Sequence, residues 1–296
     1  MKVLVSCING NGLAGSEMYH YELVRELHIN GIDVTLFTLH DINRNDQVRV
    51  KLYELGIKQV DLNSINVSES FDIIIASQPQ VNSFVCQHFL NTPIISIIHS
   101  EIRSETPIIH SNIKHYICIR PSIVDLLINN YNVPKEKTSL IYNPIDTSRY
   151  FNDKSIKNDK VTGLFIGGAT DDIRFKTVCH LVQHCLDNDW NLNIMSGHHQ
   201  RYDFNHPNIK YLDPLWYNES IVKSMDFTAG ILLGRTTLEG LCCGVPGYIY
   251  NINQHGDITD IELIQPDNDV VPLCDSKIVI KQHLDLYKKI VDESNI

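Results

Sequence analysis

The sequence predicts an α/β chain of two doubly wound halves, each a mainly parallel sheet covered by helices. Short apolar runs alternate along the whole chain with stretches of helical spacing, the order expected of βαβ units. Around residues 150–160 the composition shifts to Asn, Asp, Lys and Ser, and the same alternation then starts again, so this segment reads as a linker. The length of 296 residues suits two conventional domains, here 1–152 and 153–296. A hydrophobic share of 43% with 20% charged residues excludes disordered, collagenous and coiled-coil classes.

The elements follow in order. Lys2–Cys7 reads as a strand, residues 8–15 as a loop of glycine and asparagine, and residues 16–30 as a helix with Tyr21, Leu23, Val24 and Leu27 on its apolar face. Gly31 follows as the residue that ends the helix, and 32–38 is the next strand, which completes a βαβ unit whose first loop faces the ligand crevice. Strands are expected at 71–77, 93–99, 114–119 and 139–142, with helices at 48–55, 81–90 and 122–130. Past the linker, 161–166, 190–195, 208–212, 227–233 and 247–250 read as strands and 173–186, 219–225 and 236–243 as helices. A last helix falls at 277–291 and can pack back on the N-terminal half. Two such halves facing each other put their strand ends on opposite walls of one cleft, the expected site.

Thirty-five acidic against 25 basic residues give a net charge of −10, a poor match to nucleic acid or an anionic membrane surface. Apolar runs such as Ile73-Ile74-Ile75-Ala76 fall far short of the ~20 residues that cross a bilayer, so no integral membrane segment is expected. Met1–Cys7 runs straight into the glycine loop, so no signal peptide is expected, and the 8 cysteines include no CxxC pair. They read as buried thiols in a reducing, cytoplasmic setting, with the sequons at Asn66 and Asn218 as chance matches.

Four segments carry chemistry. In the first loop Gly10, Gly12 and Gly15 allow close backbone approach, and Ser16-Glu17 opens a helix whose N-terminus can meet an anion. The spacing also fits a dinucleotide fingerprint with Asp41 as its acid, and equally a purely structural turn. In the second, Gly234-Arg235-Thr236-Thr237 leads from a strand into a helix: the glycine admits a phosphate, either threonine can cap, and the arginine adds a forked cation, together a receptor for a diphosphate. Glu239 on that helix either accepts hydrogen bonds from ribose hydroxyls or complements the helix dipole. The third, Gly167-Gly168, precedes Arg174 and Lys176, which either reach the same diphosphate or are simply solvated. The fourth is His99 at a strand end, placed to position a substrate hydroxyl or carry a proton, or a structural histidine. The remaining histidines, His198-His199 included, lack the spacing of a metal site, and no esterase, zincin or P-loop motif occurs.

Taken together, these segments resemble the GT-B-fold glycosyltransferases, and among them the retaining nucleotide-sugar enzymes of glycosyltransferase family 4. Gly12-Leu13-Ala14-Gly15-Ser16-Glu17 with its helix and next strand is similar to that family's opening. Asn143-Pro144-Ile145-Asp146-Thr147-Ser148-Arg149-Tyr150-Phe151 resembles its interdomain signature, and Leu164-Phe165-Ile166-Gly167-Gly168 its first donor-domain strand. Leu238-Glu239-Gly240-Leu241-Cys242-Cys243-Gly244-Val245-Pro246 resembles its donor helix. The likeness spans nearly the whole chain in the right order.

The resemblance implies two facing Rossmann-like domains, an acceptor domain and then a donor domain. It also implies transfer of a hexosyl or pentosyl group with retention, from a UDP- or GDP-sugar to an acceptor hydroxyl. It places ribose binding on Glu239, diphosphate contacts on Arg174, Lys176 and the Thr236-Thr237 helix start, and His99 near the transferred sugar, with no metal and no cofactor. Three features depart from the pattern. Ile231 stands where a sugar-binding glutamate is usual, Gly168 stands where an arginine is usual, and the chain is short. The acceptor is open among a glycan, a protein, a lipid and a modified DNA base, the last as in a phage-type DNA glycosyltransferase. An epimerase on the same fold, a dinucleotide oxidoreductase and a catalytically idle nucleotide-sugar binding protein are the other readings.

Overall fold

The computed structural model describes residues 1–294 apart from 11, 14, 41, 43–45, 103–104, 154–156, 168–171, 197–203, 254 and 256, and apart from the side chains of 172–174. Two compact units result: Met1–Gly12, Ser16–Pro144 and Ser276–Ile296 make the first, and Ile145–Asp275 is the body of the second.

The first unit is a seven-stranded, all-parallel sheet of β1 (Lys2–Cys7), β2 (Asp33–Thr38), β3 (Lys58–Asp61), β4 (Ile73–Ser77), β5 (Ile94–Ile98), β6 (Ile113–Cys118) and β7 (Thr138–Leu140), in the order β3-β2-β1-β4-β5-β6-β7. Its helices are α1 (Gly15–Ile29), α2 (Gln47–Glu54), α3 (Pro79–His88) and α4 (Pro121–Tyr131). The inner strands are apolar along their length because helices bury both faces; every residue of β4 and β5 is buried. Gly31, at φ 76°, ends α1 by donating to His28 while Ile32 donates to Leu27. Proline at the first position sets α3 going at residue 79, two residues before the apolar periodicity begins. The C-terminal helix Ser276–Ser294 groups with this unit. Its fully buried His283 bonds the Tyr19 hydroxyl of α1 at 3.1 Å and the Tyr287 hydroxyl at 2.8 Å.

The second unit holds six strands in the order β10-β9-β8-β11-β12-β13: β8 (Thr162–Ile166), β9 (Asn191–Met195), β10 (Ile209–Leu212), β11 (Phe227–Ile231), β12 (Gly247–Ile252) and β13 (Ile258–Ile264). Only β13 runs antiparallel to its neighbour. Its helices are α5 (Asp172–Asp187), α6 (Glu219–Lys223), α7 (Arg235–Cys242) and α8 (Val270–Leu273). Both sheets reverse their strand order once, between β1 and β4 and between β8 and β11, the points at which open α/β sheets in general bind ligands.

Packing between β8 and β11 requires a glycine. A Cβ at Gly163 would run into the Phe227 ring. Gly163→Ala should therefore lower stability by about 1–3 kcal/mol, read as a drop in the urea midpoint, and Phe227→Leu should recover part of the loss.

Candidate functional site

In the second unit the chain leaves β11 through Leu232, at φ 59°, and enters α7 with Gly234 as N-cap. Gly234 has no side chain with which to cap this helix, and the positive end of the helix dipole there suits an anion. Neither threonine takes the capping role. Thr236 donates instead to the Ile166 carbonyl at the end of β8, 3.3 Å away. Thr237 is fully buried, and Cβ atoms added at Gly230 and Gly247 would both meet it, so it packs α7 against β11 and β12.

Arg235 and Glu239 pair with each other one turn apart. The arginine Nε and Nη2 donate to one Glu239 oxygen at 3.1 and 2.8 Å, and both side chains are 7% exposed. Burial raises the Glu239 carboxyl above its usual value, while Arg235 and a hydrogen bond from Asn218 oppose the rise. Asn218 is itself held by the Tyr150 hydroxyl at 2.8 Å. The result is a row of Tyr150, Asn218, Glu239 and Arg235 beside the Gly234 helix start. Gly167 lies at the end of β8, where a side chain would crowd Phe165. Lys176 is exposed on α5. Gly168, the Arg174 side chain, Asp41 and His198-His199 lie outside the described residues.

In the first unit Gly12, at φ 96°, donates to the Asp46 carboxylate at 2.8 Å, and Asp46 also caps α2 through Val48. A carboxylate on that N–H disfavours a phosphate there, against the dinucleotide reading of the loop. Gly15 is exposed at the start of α1, and the Ser16 hydroxyl donates to Glu17 at 2.8 Å. His99 follows β5 and is half-buried. Its Nε2 lies 3.3 Å from the Ser77 hydroxyl, which lies 2.8 Å from Nε2 of buried His20. Its backbone carbonyl accepts from Arg120 at 3.0 Å, and Arg120 is in turn paired with Glu101.

Sequence reasoning missed Tyr150, Asn218, Ser77 and His20. Tyr150 stood inside the quoted interdomain segment. Asn218 carried only a sequon signal, and Ser77 and His20 fell within ordinary strand and helix patterns.

Residues 13–149 match the family model of Glycosyltransferase Family 4. Among solved structures, the chain is similar to Anabaena HepE in complex with UDP and glucose, with TM-score 0.71 and 13% identity over 98% of this chain and 100% of that one. A glycosyltransferase from Rickettsia africae gives TM-score 0.66 and 11% identity, covering 98% of each chain. The UDP-GlcNAc 2-epimerase of Methanocaldococcus jannaschii gives 0.58 and 13%, over 97% of this chain and 93% of that one. No curated protein sequence matches. The fold is that of the GT-B glycosyltransferases, two Rossmann-like α/β domains in one chain.

Two outcomes follow from the buried charges and rings. Arg235→Met leaves Glu239 buried without its cation, which should cost about 3 kcal/mol at neutral pH and less at pH 5, where the carboxyl takes up a proton more readily. Adding Glu239→Gln should recover part of that loss in urea titrations. Burial lowers His20 to about 4 and His283 to about 3, and holds His99 well below its ordinary value. Unfolding frees these rings to bind protons near 6.5, so stability is full above that pH and falls as the pH drops toward 4. At pH 5 the loss from His20 alone should be about 2 kcal/mol, and an unfolding midpoint unchanged between pH 7 and 5 would contradict the assignment.

Proposed function

We propose that the chain is a glycosyltransferase that moves a sugar from a UDP- or GDP-sugar to an acceptor hydroxyl with retention. The observation that carries the reading is the uncapped start of α7 after Gly234, flanked by the buried Arg235–Glu239–Asn218 row, at the strand-order reversal of the second unit. Open N–H groups and the positive end of a helix suit a nucleoside diphosphate, and a fixed carboxylate next to them suits ribose hydroxyls. HepE, which shares the fold, holds UDP and glucose.

In this reading the helix start, with Thr236 and Lys176, receives the donor diphosphate, Gly167 lets it approach β8, and Glu239 accepts from the ribose. Arg174 and Gly168 are proposed to contribute to the same site. His99 on the first unit hydrogen-bonds a substrate hydroxyl, and the Gly12–Glu17 segment contacts the acceptor. The acceptor oxygen bonds to the anomeric carbon as the bond to the diphosphate breaks on the same face, and the departing phosphate takes the hydroxyl proton. Cationic side chains and the helix dipole offset the charge that develops on the leaving group, so the reaction is proposed to run without a metal. The eight cysteines are all free thiols, which fits a cytoplasmic setting. Among the described residues no helix is long and apolar enough to cross a membrane.

The test is a thermal-shift screen with UDP, GDP, ADP, CMP, NADH and the common nucleotide sugars. A nucleotide at about a hundred times its Kd should stabilise the fold by about 2.7 kcal/mol, and Glu239→Gln should remove the effect. A shift with NADH alone, or with no nucleotide, defeats the reading. Binding of UDP with no sugar turnover points to an idle binder, and conversion of UDP-GlcNAc to its epimer points to an epimerase.

A further inference from the structure

The hydrogen-bond chain behind His99 has a fixed direction. His20 Nδ1 lies 2.6 Å from the Ser16 backbone carbonyl, which can only accept, so the proton sits on Nδ1. Burial keeps the ring neutral, so His20 Nε2 is bare and must accept from the Ser77 hydroxyl 2.8 Å away. With its proton committed to His20, Ser77 can only accept from His99 Nε2 at 3.3 Å. A neutral His99 then has its proton on Nε2 and a bare Nδ1, to which nothing among the described residues donates.

The surroundings hold this state in place. The Tyr19 ring meets the His99 ring edge-on at 4.9 Å, and Tyr19 is anchored by His283 of the C-terminal helix. Burial and the cation of Arg120, which bonds the His99 carbonyl, disfavour a positive ring. His99 lines a hollow with Gln78, Asn82, Ile98, Glu105 and Pro107. Asn82 spends its amide N–H on the Gln78 carbonyl at 2.9 Å, which fixes the amide orientation and leaves its buried carbonyl oxygen without a donor. His99 and Asn82, both in the wall of this hollow, thus each carry a hydrogen-bond acceptor to which no described residue donates.

We propose that Ser77 and His20 are positioning residues that lock His99 as the Nε2–H tautomer, so that its bare Nδ1 and the Asn82 carbonyl select a ligand group that donates, a hydroxyl. The inference rests on the glycosyl-transfer reading for the identity of that hydroxyl, but the tautomer itself does not depend on it. His99 in this state orients a hydroxyl and does not supply a proton.

Imidazole ¹⁵N NMR of histidine-labelled full-length protein tests the lock directly, with the His99 signals assigned by their loss in His99→Gln. Wild type should show a protonated Nε2 and a bare Nδ1. Ser77→Ala and His20→Phe should convert this to a mixed or reversed tautomer, while His20→Gln, whose amide oxygen can accept from Ser77, should keep it. Release of UDP from UDP-glucose should fall about tenfold in Ser77→Ala and His20→Phe, mainly in kcat, and recover in His20→Gln. A wild-type His99 protonated on Nδ1 overturns the proposal. So does an unchanged tautomer in both disruptive variants with native melting curves. Should wild type leave UDP-glucose and every other nucleotide sugar of the screen untouched while the tautomer pattern holds, the transfer reading fails and the lock stands.

Discussion

A parallel sheet must be covered on both faces, and most of this molecule's organisation follows from that constraint. Strands with two buried faces admit few polar side chains, so chemistry is displaced to the loops at their ends. The serines that do enter the inner strands show how strict the condition is. Ser6 spends its hydroxyl on the Ile75 carbonyl of the neighbouring strand, and Ser77, the last residue of β4, is taken up by two histidines. Close packing adds a second demand around β11, where Gly163 of β8 and Gly240 of α7 leave no room for a methyl group beside Phe227 and Thr228.

The same constraint made the fold legible. Apolar runs such as Ile73–Ser77 and Ile94–Ile98 cannot be amphipathic strands, so their alternation with helical stretches identifies a covered parallel sheet. Gly31 marked the end of α1 for a conformational reason that needs no tertiary information. Two of the four edge strands were not legible: β3 buries only Val60, and β13 is a largely exposed strand without an apolar run. At the candidate site, sequence placed Arg235 and Glu239 at a helix start, and the fold has them on α7. It could not show that they meet each other, because a four-residue spacing allows both an ion pair and two separate ligand contacts. Tyr150 and Asn218 lie far from Glu239 in sequence, and only the folded chain brings them to it. The His20–Ser77–His99 chain is hidden in the same way, since each member looks like an ordinary residue of its own element.

The two sheet ends handle buried polarity by different physics. At the end of β11 the protein keeps a full charge pair out of water, and it does so with two bonds from Arg235 and a further one from Asn218. Such a pair is costly to desolvate and contributes little to stability, and its geometry holds a carboxylate rigid beside the Gly234 helix start. At the end of β5 the groups are neutral. Three polar side chains pass one direction of donation from His99 to the Ser16 carbonyl, and burial suppresses protonation along the way. A charged end suits a ligand part that carries charge, and a neutral, directional end suits one that offers a hydroxyl.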